Sequence, residues 1–362
     1  MEVAEIRTIF KNKKVFITGH TGFKGTWLLN VLHTMGAELK GYALPPLNEL
    51  DIYNQINAKE LCSSVEADIQ DFEKLKKEIL DFQPDFIFHL AAQPLVKLSY
   101  DVPLETFNVN TQGSANLLDS LRSLHKACIC VMITTDKVYS NLESGYYYKE
   151  NDKLGGYDPY SASKAAAEII IDSYRNSFFN PKDYTQHKKS VSVARAGNVI
   201  GGGDWSKDRI IPDVVRALND QKVIQVRNPN SVRPWQHVLE PLLGYISLAA
   251  NQFKQPEKFS TSFNFGPNKN DTLPVSELVT QSIKKWGKGT SEHKVDDKAV
   301  HEAGLLHLDI SKAKELLNWQ PKMNSEQAIE MTMDWYKEAL DNTNEIENFT
   351  RQQIINYLNH LE

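Results

Sequence analysis

Residues 14–25 read KVFITGHTGFKG and decide the fold. Within them, residues 15–17 are a short apolar run typical of a buried strand, and residues 26–35 carry apolar side chains at helical spacing. Glycines recur every three residues in the turn between strand and helix. Their missing side chains permit a tight turn and let backbone amides approach a pyrophosphate at the helix N-terminus. The turn therefore predicts a dinucleotide site, with candidate contacts from Gly19, Thr21, Gly22, Phe23, Lys24 and Gly25.

Strand and helix patterns alternate through the first half of the chain. Such alternation indicates the α/β class, with a Rossmann-type doubly wound parallel sheet and a smaller C-terminal substrate-binding lobe. In such a sheet the ligand crevice lies beyond the carboxyl ends of the strands. The predicted strands are residues 15–17, 37–42, 65–69, 86–90, 127–133 and 190–194, and the predicted helices are residues 26–35, 72–80, 110–121 and 160–174.

The composition of the sequence changes near Gly197, where glycine and polar residues replace the alternating strand and helix patterns. We expect a dinucleotide-binding domain over residues 1–196 and a substrate-binding lobe over residues 197–345, with residues 235–266 returning to the sheet. A C-terminal helix should occupy residues 346–362. Further helices are predicted over residues 211–218, 311–317 and 349–361, with a polar connector over residues 340–348.

The end of the second predicted strand bears on the choice of cofactor. Many dinucleotide sites place an Asp or Glu there for the adenosine ribose, but residues 42–46 read YALPP. Lys24 or Lys40 could instead face the 2′-phosphate of NADP, so the residues alone leave NAD and NADP open. Asp68 could bond the adenine amine or cap the following helix. Residues after the other strands complete the candidate cofactor set: Asp68, Ile69, Leu90, Ala91, Ala92, Gln93 and Thr134.

A second cluster of candidate residues combines Thr135 with the pair Tyr160 and Lys164. Residues four apart on a helix share a face, so the phenol and the ammonium can point into one site. A tyrosine with a pKa of about 10 is a poor base, but a neighbouring cation favours its phenolate. Thr135, after a predicted strand, could hydrogen-bond the same substrate hydroxyl. The pattern predicts a dehydrogenase acting on an alcohol, in which Tyr160 and Lys164 also contact the cofactor.

Composition argues against several other classes of function. The formal net charge of -5 and the pI of about 6.1 provide no basic face for nucleic acid. Cys62, Cys128 and Cys130 are an odd number without metal-ligand spacing, so we expect buried thiols in a reducing compartment and no metal site. No stretch approaches the roughly 18 apolar residues of a membrane span, and the N-terminus does not resemble a signal peptide. We expect a cytoplasmic protein.

Four longer stretches, together with the glycine turn, carry a family resemblance. They are residues 134–139 (TTDKVY), 154–160 (LGGYDPY), 196–205 (AGNVIGGGDW) and 233–238 (RPWQHV). With these motifs the chain resembles the extended short-chain dehydrogenase/reductase family over nearly its whole length. Within that family it is most similar to the nucleotide-sugar 4,6-dehydratases, and among these to the branch that acts on CDP-glucose.

The resemblance implies a redox-neutral dehydration. Bound NAD would take a hydride from sugar carbon 4 and return it to carbon 6, after the carbon 5 proton and the 6-hydroxyl have left, giving a 4-keto-6-deoxy sugar nucleotide for deoxysugar biosynthesis. By the same resemblance Thr135, Tyr160 and Lys164 serve the oxidation, while Asp136 and Lys137 serve the elimination. The positions expected to hold the nucleotide sugar are Asn198, Arg209, Arg233 and His237.

Lys137 departs from the related dTDP-glucose dehydratases, which carry a glutamate after the aspartate. Because a neighbouring ammonium lowers a carboxyl pKa, it opposes the protonated Asp136 that an acid role needs. Lys137 could be neutral and take the carbon 5 proton, or charged and stabilise the enolate, and the sequence leaves both open. Adjacent strand residues point to opposite faces, so both side chains reach the sugar only if the strand ends at Thr135.

Other functions stay open at this point. A sugar-nucleotide 4-epimerase would use Tyr160, Lys164 and NAD without needing an acid–base pair. Dehydratases of GDP-mannose or dTDP-glucose share the reaction, and a non-catalytic NAD-binding regulator shares the fold. The resemblance also implies a homodimer or homotetramer, in which predicted helices 110–121 and 160–174 form a four-helix interface.

Overall fold

The carboxyl ends of parallel strands form the edge at which the candidate residues collect. The computed structural model describes residues 2–294 and 305–359. Its main strands are β1 (Lys14–Thr18), β2 (Glu38–Ala43), β3 (Ser63–Glu66), β4 (Phe86–His89), β5 (Cys128–Ile133), β6 (Lys189–Ala196) and β7 (Ser262–Phe265). They pair in parallel in the order β7-β6-β5-β4-β1-β2-β3. The predicted α/β class and doubly wound parallel sheet are confirmed, with the switch point between β1 and β4.

Helices cover both faces of this sheet. The longer ones are α1 (Val3–Phe10), α2 (Phe23–Thr34), α3 (Phe72–Phe82), α4 (Gly113–Arg122), α5 (Pro159–Ser177), α6 (Ile210–Asn219), α7 (Leu239–Lys254), α8 (Val275–Trp286), α9 (Ser311–Leu317), α10 (Ser325–Asp341) and α11 (Ile346–Asn359). Because strand side chains alternate between faces, Val15 and Ile17 join one core with α2 and α7, whereas Phe16 joins another with α3, α4 and α5. Cys128 and Cys130 are buried free thiols in the second core.

Short elements hold the loops at the carboxyl edge. The strand pairs are Val199–Ile200 with Gln236–His237, Val232–Arg233 with Leu273–Pro274, Ile224–Val226 with Ser291–His293, and Tyr147–Tyr148 with His307–Leu308. The short helices are Ile52–Gln55, Ala58–Leu61, Val96–Asp101, Pro103–Phe107, Asp136–Val138, Pro181–Asp183, Tyr184–His187 and Thr343–Glu345. A π-helical turn, Asn108–Gln112, leads into α4.

Two local predictions differ from the structure. The third strand ends at Glu66, before Asp68, and the residue that caps α3 is Asp71, whose carboxylate accepts from the Lys74 amide at 3.1 Å. The polar connector predicted over residues 340–348 is shorter, because α10 continues to Asp341 and α11 begins at Ile346. These two helices pack together through a buried hydrogen bond from Trp335 to Thr350, a tertiary contact that the local polar composition could not reveal. The other predicted strands and helices are confirmed with small shifts of their ends, except that the part of the predicted C-terminal helix over residues 360–362 lies outside the described residues.

The glycine turn fits tightly between β1 and the loop after β4. Gly19 has a φ of +74°, and a Cβ there would lie 2.7 Å from the Ala91 backbone nitrogen. A Cβ on Gly25 would overlap the Gly19 carbonyl oxygen, so this position too requires glycine. Gly22 is different, since its nearest neighbour would be 3.5 Å away and the residue is exposed. The turn therefore leaves the N-terminus of α2 open at Gly22.

Helices capable of crossing a membrane are not found among residues 2–294 and 305–359, since none is both long and apolar enough.

Candidate active site

Helix α5 begins at Pro159 because Asp158 caps it. The Asp158 carboxylate accepts hydrogen bonds from the Ser161 amide at 2.9 Å and from the Ser161 hydroxyl at 2.6 Å. Proline suits the first helical position, where its missing N–H costs no helix hydrogen bond. The cap fixes Tyr160 in the first turn, and Lys164 follows one turn later on the same face. Both side chains are buried, being 9% and 6% exposed.

The end of β5 meets this helix face. Tyr160 shares a hydrogen bond with the Thr135 side chain. The Lys164 ammonium donates to the carbonyl oxygen of Ile133, the last residue of β5, at 3.4 Å. The structure thus brings together the three residues that the sequence assigns to oxidation of an alcohol.

Burial controls the acidity of this group. It raises the pKa of Tyr160 to about 12, and the Thr135 hydrogen bond and the Arg209 charge only partly offset the effect. The expectation that a lysine neighbour lowers the Tyr160 pKa is therefore wrong for the protein by itself, because desolvation is the larger effect. Burial also lowers the pKa of Lys164 to about 8, and the opposing charge of Glu168 limits that decrease. Tyr160 is thus a neutral phenol beside a lysine that titrates near neutral pH.

Asp136 and Lys137 follow β5 in a tight 3₁₀ turn, Asp136–Val138. The Thr135 hydroxyl caps this turn, since its oxygen accepts from the Lys137 amide at 3.3 Å, and it donates to Asp136 Oδ1 at 2.9 Å. Because β5 ends at Ile133, the strand rule that would send the two side chains to opposite faces does not apply. The charge of Lys137 acts on Asp136 and favours its carboxylate form.

Two effects act on the Asp136 pKa in opposite directions, and burial is the larger of them. Asp136 is 5% exposed, and desolvation raises its pKa above the usual value for aspartate. The charges of Lys137, Arg233 and Lys24 and the Thr135 hydrogen bond act in the opposite direction but are smaller together. A protonated, acid-competent Asp136 is therefore compatible with a lysine beside it.

Gly197 makes room for this carboxyl. A Cβ at Gly197 would lie 2.8 Å from Asp136 Oδ2. A side chain at this position would therefore displace the aspartate. Gly197 also lines a narrow groove with Pro234, Asn268 and His307. From the sequence, Gly197 was expected only to mark the start of the lobe. The position of Gly197 directly after β6, at the carboxyl edge of the sheet, was the signal that could have placed it in the site.

Lys24 extends into the same cleft. Its charge interacts with those of Asp136, Lys164 and Arg209, and burial lowers its pKa to about 8. Its ammonium lies 6.0 Å from the ring centroid of Tyr245. Tyr245 is fully buried, and its phenol interacts with Asp136. Lys24 therefore joins the glycine turn to the catalytic residues.

The two lysines considered for a 2′-phosphate both lie elsewhere. Lys40 forms an ion pair with Glu78 of α3, and Lys24 is in the catalytic cleft. Asp68 stands beyond β3, where its carboxylate accepts from the Gln70 amide at 2.9 Å and its carbonyl accepts from Tyr42 at 2.9 Å. Neither lysine therefore supports the NADP option.

Two arginines of the lobe reach the catalytic residues. Arg209 precedes α6, forms an ion pair with Asp204 at 2.9 Å, and interacts with the Tyr160 phenol. Arg233 interacts with Asp136. Asn198 is half-buried near Gly197, and its carbonyl accepts from the Gln236 amide at 3.3 Å. The cleft thus combines the cations of Lys24, Arg209 and Arg233 with the carboxyl group of Asp136.

Other predicted contacts are engaged inside the protein. His237, predicted as a substrate ligand, is fully buried, with its ring edge-on to Trp27 at a centroid distance of 5.8 Å. Gln93 is also buried and donates to the Leu95 carbonyl and the Thr106 hydroxyl. Of the other predicted cofactor residues, Leu90 and Ala91 donate their amides to the Thr18 hydroxyl of β1, Ala92 follows them, and Ile69 packs near Gly113.

A buried ion pair missed by the sequence analysis supports the catalytic helix. Glu168, one turn beyond Lys164, accepts from Arg195 Nε at 2.8 and 3.0 Å and from the Thr134 hydroxyl at 2.6 Å. Arg195, on β6, also donates to the Tyr139 hydroxyl at 2.7 Å. The i+4 spacing continues from Tyr160 through Lys164 to Glu168. This spacing was the only local sequence signal that Glu168 lies on the catalytic face of α5. Thr134, predicted as a cofactor contact, uses its hydroxyl here.

The π-helical turn provides a second support. Asn110, fully buried in that turn, donates to the Ser163 hydroxyl of α5 at 2.9 Å and to the Gln93 carbonyl at 3.1 Å. It also accepts from the Gln93 amide at 2.8 Å. One side chain thus joins the loop after β4 to the catalytic helix, and π turns are frequent at functional sites. Nothing in the local sequence distinguished Asn110 from other helical polar residues.

The glycine turn fits a dinucleotide. The first amides of α2 point out of the helix at the exposed Gly22, where a pyrophosphate could approach without meeting a side chain. Groups of three or more His, Cys, Asp or Glu side chains able to hold a metal ion are absent from the described residues.

Comparison with known proteins decides the family. Residues 16–332 match the profile of the GDP-mannose 4,6 dehydratase family. The chain belongs to this dehydratase family. A CDP-glucose 4,6-dehydratase of Salmonella typhimurium is 44% identical over 331 residues, 91% of this chain and 92% of the relative. A CDP-paratose 2-epimerase of Salmonella typhi is 25% identical over 342 residues, 89% of this chain and 98% of the relative.

Solved structures agree on the dehydratase family's fold. A dTDP-glucose 4,6-dehydratase of Streptomyces venezuelae with NAD and TYD bound has a TM-score of 0.76 at 22% identity, covering 92% of this chain and 99% of that one. An epimerase of Methanothermobacter thermautotrophicus has a TM-score of 0.77 at 20% identity, covering 95% and 97%. Dehydratases and epimerases thus share the architecture, and their chemistry must be distinguished at the site.

Replacing Glu168 tests the control of Lys164. Glu168→Gln removes the charge that raises the Lys164 pKa, so Lys164 should lose its proton at lower pH. If turnover needs the ammonium, the alkaline limb of the pH–activity profile should move to lower pH by about one unit or more, as for loss of an adjacent opposite charge. Stability should fall by up to about 3–5 kcal/mol, since Arg195 keeps a buried charge.

The matched control is Asp172→Asn on the same helix. Asp172 pairs with Arg175 and is half exposed, away from the catalytic face. The control should leave the alkaline limb in place. A folded Glu168→Gln enzyme with an unchanged limb would contradict the electrostatic role of Glu168.

Proposed function

We propose that this chain converts CDP-D-glucose to CDP-4-keto-6-deoxy-D-glucose and water. The observation that carries the reaction type is Asp136, a buried carboxyl of raised pKa joined through Thr135 to Tyr160. A 4-epimerase would need Tyr160 and Lys164 but has no use for a second, acid-competent group beside them. The choice of CDP-glucose rests on the relative that is 44% identical along most of both chains.

We infer that NAD is the cofactor. The pyrophosphate would lie at the N-terminus of α2, over Gly19, Gly22 and Gly25, with the nicotinamide end toward Ala91 and Tyr160. When bound, NAD would supply the reversible oxidation of sugar carbon 4 that makes the carbon 5 proton acidic. Two solved structures of similar fold were obtained with NAD.

The protein's own groups would then act in sequence. Tyr160, oriented by Thr135, would accept the proton of the 4-hydroxyl through its phenolate form, which the Thr135 hydrogen bond and the Arg209 charge favour against burial. Asp136 would protonate the departing 6-hydroxyl, because burial favours its neutral form. Lys137 would act on carbon 5, either as base or as a charge that stabilises the enolate. Arg209 and Arg233 would hold the diphosphate, since guanidinium groups give bidentate contacts to phosphate.

The experiment that tests this proposal is incubation of the purified chain and NAD with four nucleotide sugars: CDP-glucose, dTDP-glucose, UDP-glucose and GDP-mannose. CDP-glucose should yield a product lighter by one water, with the ultraviolet absorption in alkali typical of a 4-keto-6-deoxy sugar. The control variant Tyr160→Phe should yield none.

Each alternative has its own outcome in this assay. Preferred turnover of another nucleotide sugar would overturn the assignment of CDP-glucose. A product of unchanged mass would indicate an epimerase. Binding of sugar nucleotide by titration calorimetry without turnover would indicate a non-catalytic regulator.

We also propose a homodimer or homotetramer built through α5. Leu104, on the short helix Pro103–Phe107 that packs against α5, and Ile169 of α5 are 79% and 62% exposed, which places two large apolar side chains on neighbouring helices at the surface. Sedimentation analysis should give two or four times the mass of the chain, and Ile169→Glu should reduce it to one. A monomeric wild-type protein would contradict this assembly.

A further inference from the structure

Tyr245, on α7, places a hydroxyl in the catalytic cleft that the protein itself does not hydrogen-bond. The residue is fully buried, and its phenol oxygen makes no hydrogen bond with residues 2–294 and 305–359. A buried hydroxyl without a partner destabilises a folded protein, because it has lost its hydrogen bonds to water. A hydroxyl in this state beside catalytic groups indicates that a ligand supplies the partner.

Packing fixes the position of the Tyr245 ring. Gly244, the residue before it on α7, lies so close to Phe265 that a Cβ there would be 2.4 Å from the Phe265 ring. The rings of Tyr245 and Phe265 pack edge to face at a centroid distance of 5.5 Å. The Lys24 ammonium lies 6.0 Å from the centroid of the Tyr245 ring. The hydroxyl is therefore held in place before any ligand binds.

The Tyr245 hydroxyl faces the reacting groups from the side opposite α5. Helix α7 packs against β5 and belongs to the core on one face of the sheet, whereas α5, which carries Tyr160, contributes to the core on the other face. The Tyr245 phenol interacts with both Tyr160 and Asp136, which places it at the carboxyl end of β5. Burial raises the pKa of Tyr245, so the phenol keeps its proton and is available as a hydrogen-bond donor.

We propose that the Tyr245 hydroxyl donates a hydrogen bond to the 6-oxygen of the sugar and stabilises this oxygen as it leaves, an inference that rests on the proposed dehydration. Tyr160 and Thr135 serve the 4-oxygen, and the neighbouring 6-oxygen is the one that Asp136 protonates. The carbon 6–oxygen bond breaks as the electron pair left at carbon 5 forms the carbon 5–carbon 6 double bond. The Asp136 proton completes the departing water, and Tyr245 keeps its own proton throughout.

A substrate analogue without the 6-hydroxyl isolates this contact. CDP-6-deoxy-D-glucose can be oxidised at carbon 4, but it has no 6-oxygen to lose or to accept a hydrogen bond. In single turnovers of the NAD-loaded enzyme, Tyr245→Phe should slow the loss of water from CDP-glucose about tenfold or more, the equivalent of one ordinary hydrogen bond. Oxidation of the analogue, followed by the absorbance of the reduced cofactor, should stay within about twofold of the wild-type rate.

Unfolding measurements separate this role from a structural one. Tyr245→Phe removes a hydroxyl that has no partner in the described protein, so the unfolding temperature of the ligand-free chain should stay the same or rise. The matched control Tyr139→Phe removes a buried hydroxyl that donates to Asn264 at 2.7 Å, and it should lower that temperature. Any effect of the control on turnover should be the same for both substrates.

Other results would overturn the inference. Equal slowing of both substrates by Tyr245→Phe would assign the hydroxyl to the 4-oxygen or to the cofactor. A wild-type rate of water loss would show that the hydroxyl does not assist the leaving group, and a clear fall in the unfolding temperature would show that it serves the fold. Failure of the proposed function would be seen separately, since the wild-type chain would then release no water from CDP-glucose.

Discussion

The buried ion pair between Glu168 and Arg195 is the interaction on which the site depends. The two side chains are 2% and 3% exposed and join α5 to β6, while Thr134 ties the same carboxylate to the end of β5. Arg195 extends the contact to Tyr139, whose hydroxyl donates to Asn264 of β7 at 2.7 Å. One helix and three neighbouring strands are thereby fixed together. Removing one partner of such a pair costs more than the pair contributes, so its members must be kept together.

The ion pair between Glu168 and Arg195 also affects the position and the protonation of the catalytic residues. It holds Tyr160 and Lys164 against the end of β5, and the Glu168 charge opposes the loss of the Lys164 proton. Burial surrounds this ion pair and also raises the pKa of Tyr160 and of Asp136. Desolvation is thus the dominant influence on the catalytic groups, and the surrounding cations moderate it rather than control it. A carboxylic acid can therefore coexist with Lys137, Arg233 and Lys24.

Local sequence patterns predicted the parts of the site that local geometry determines. Glycine spacing gave the turn, strand-helix alternation gave the sheet, and the i+4 rule placed Tyr160 beside Lys164. Contacts between distant segments were out of reach. Arg195 lies 27 positions from Glu168, and no pattern linked them. His237 sits in a polar stretch but is buried, and Lys24 turns into the cleft rather than toward an adenosine. The direction of the Tyr160 pKa shift was wrong because burial is a tertiary property.

Desolvation, and not the neighbouring cations, decides the direction of the Asp136 pKa shift. The most direct measurement is the infrared carboxyl band of Asp136, identified by difference from Asp136→Asn and followed through a pH titration. The titration midpoint should lie above the usual aspartate value of about 3.9, because burial raises the pKa of Asp136. A midpoint at or below that value would show that Lys137 and its neighbours dominate, and Asp136 could not serve as the acid.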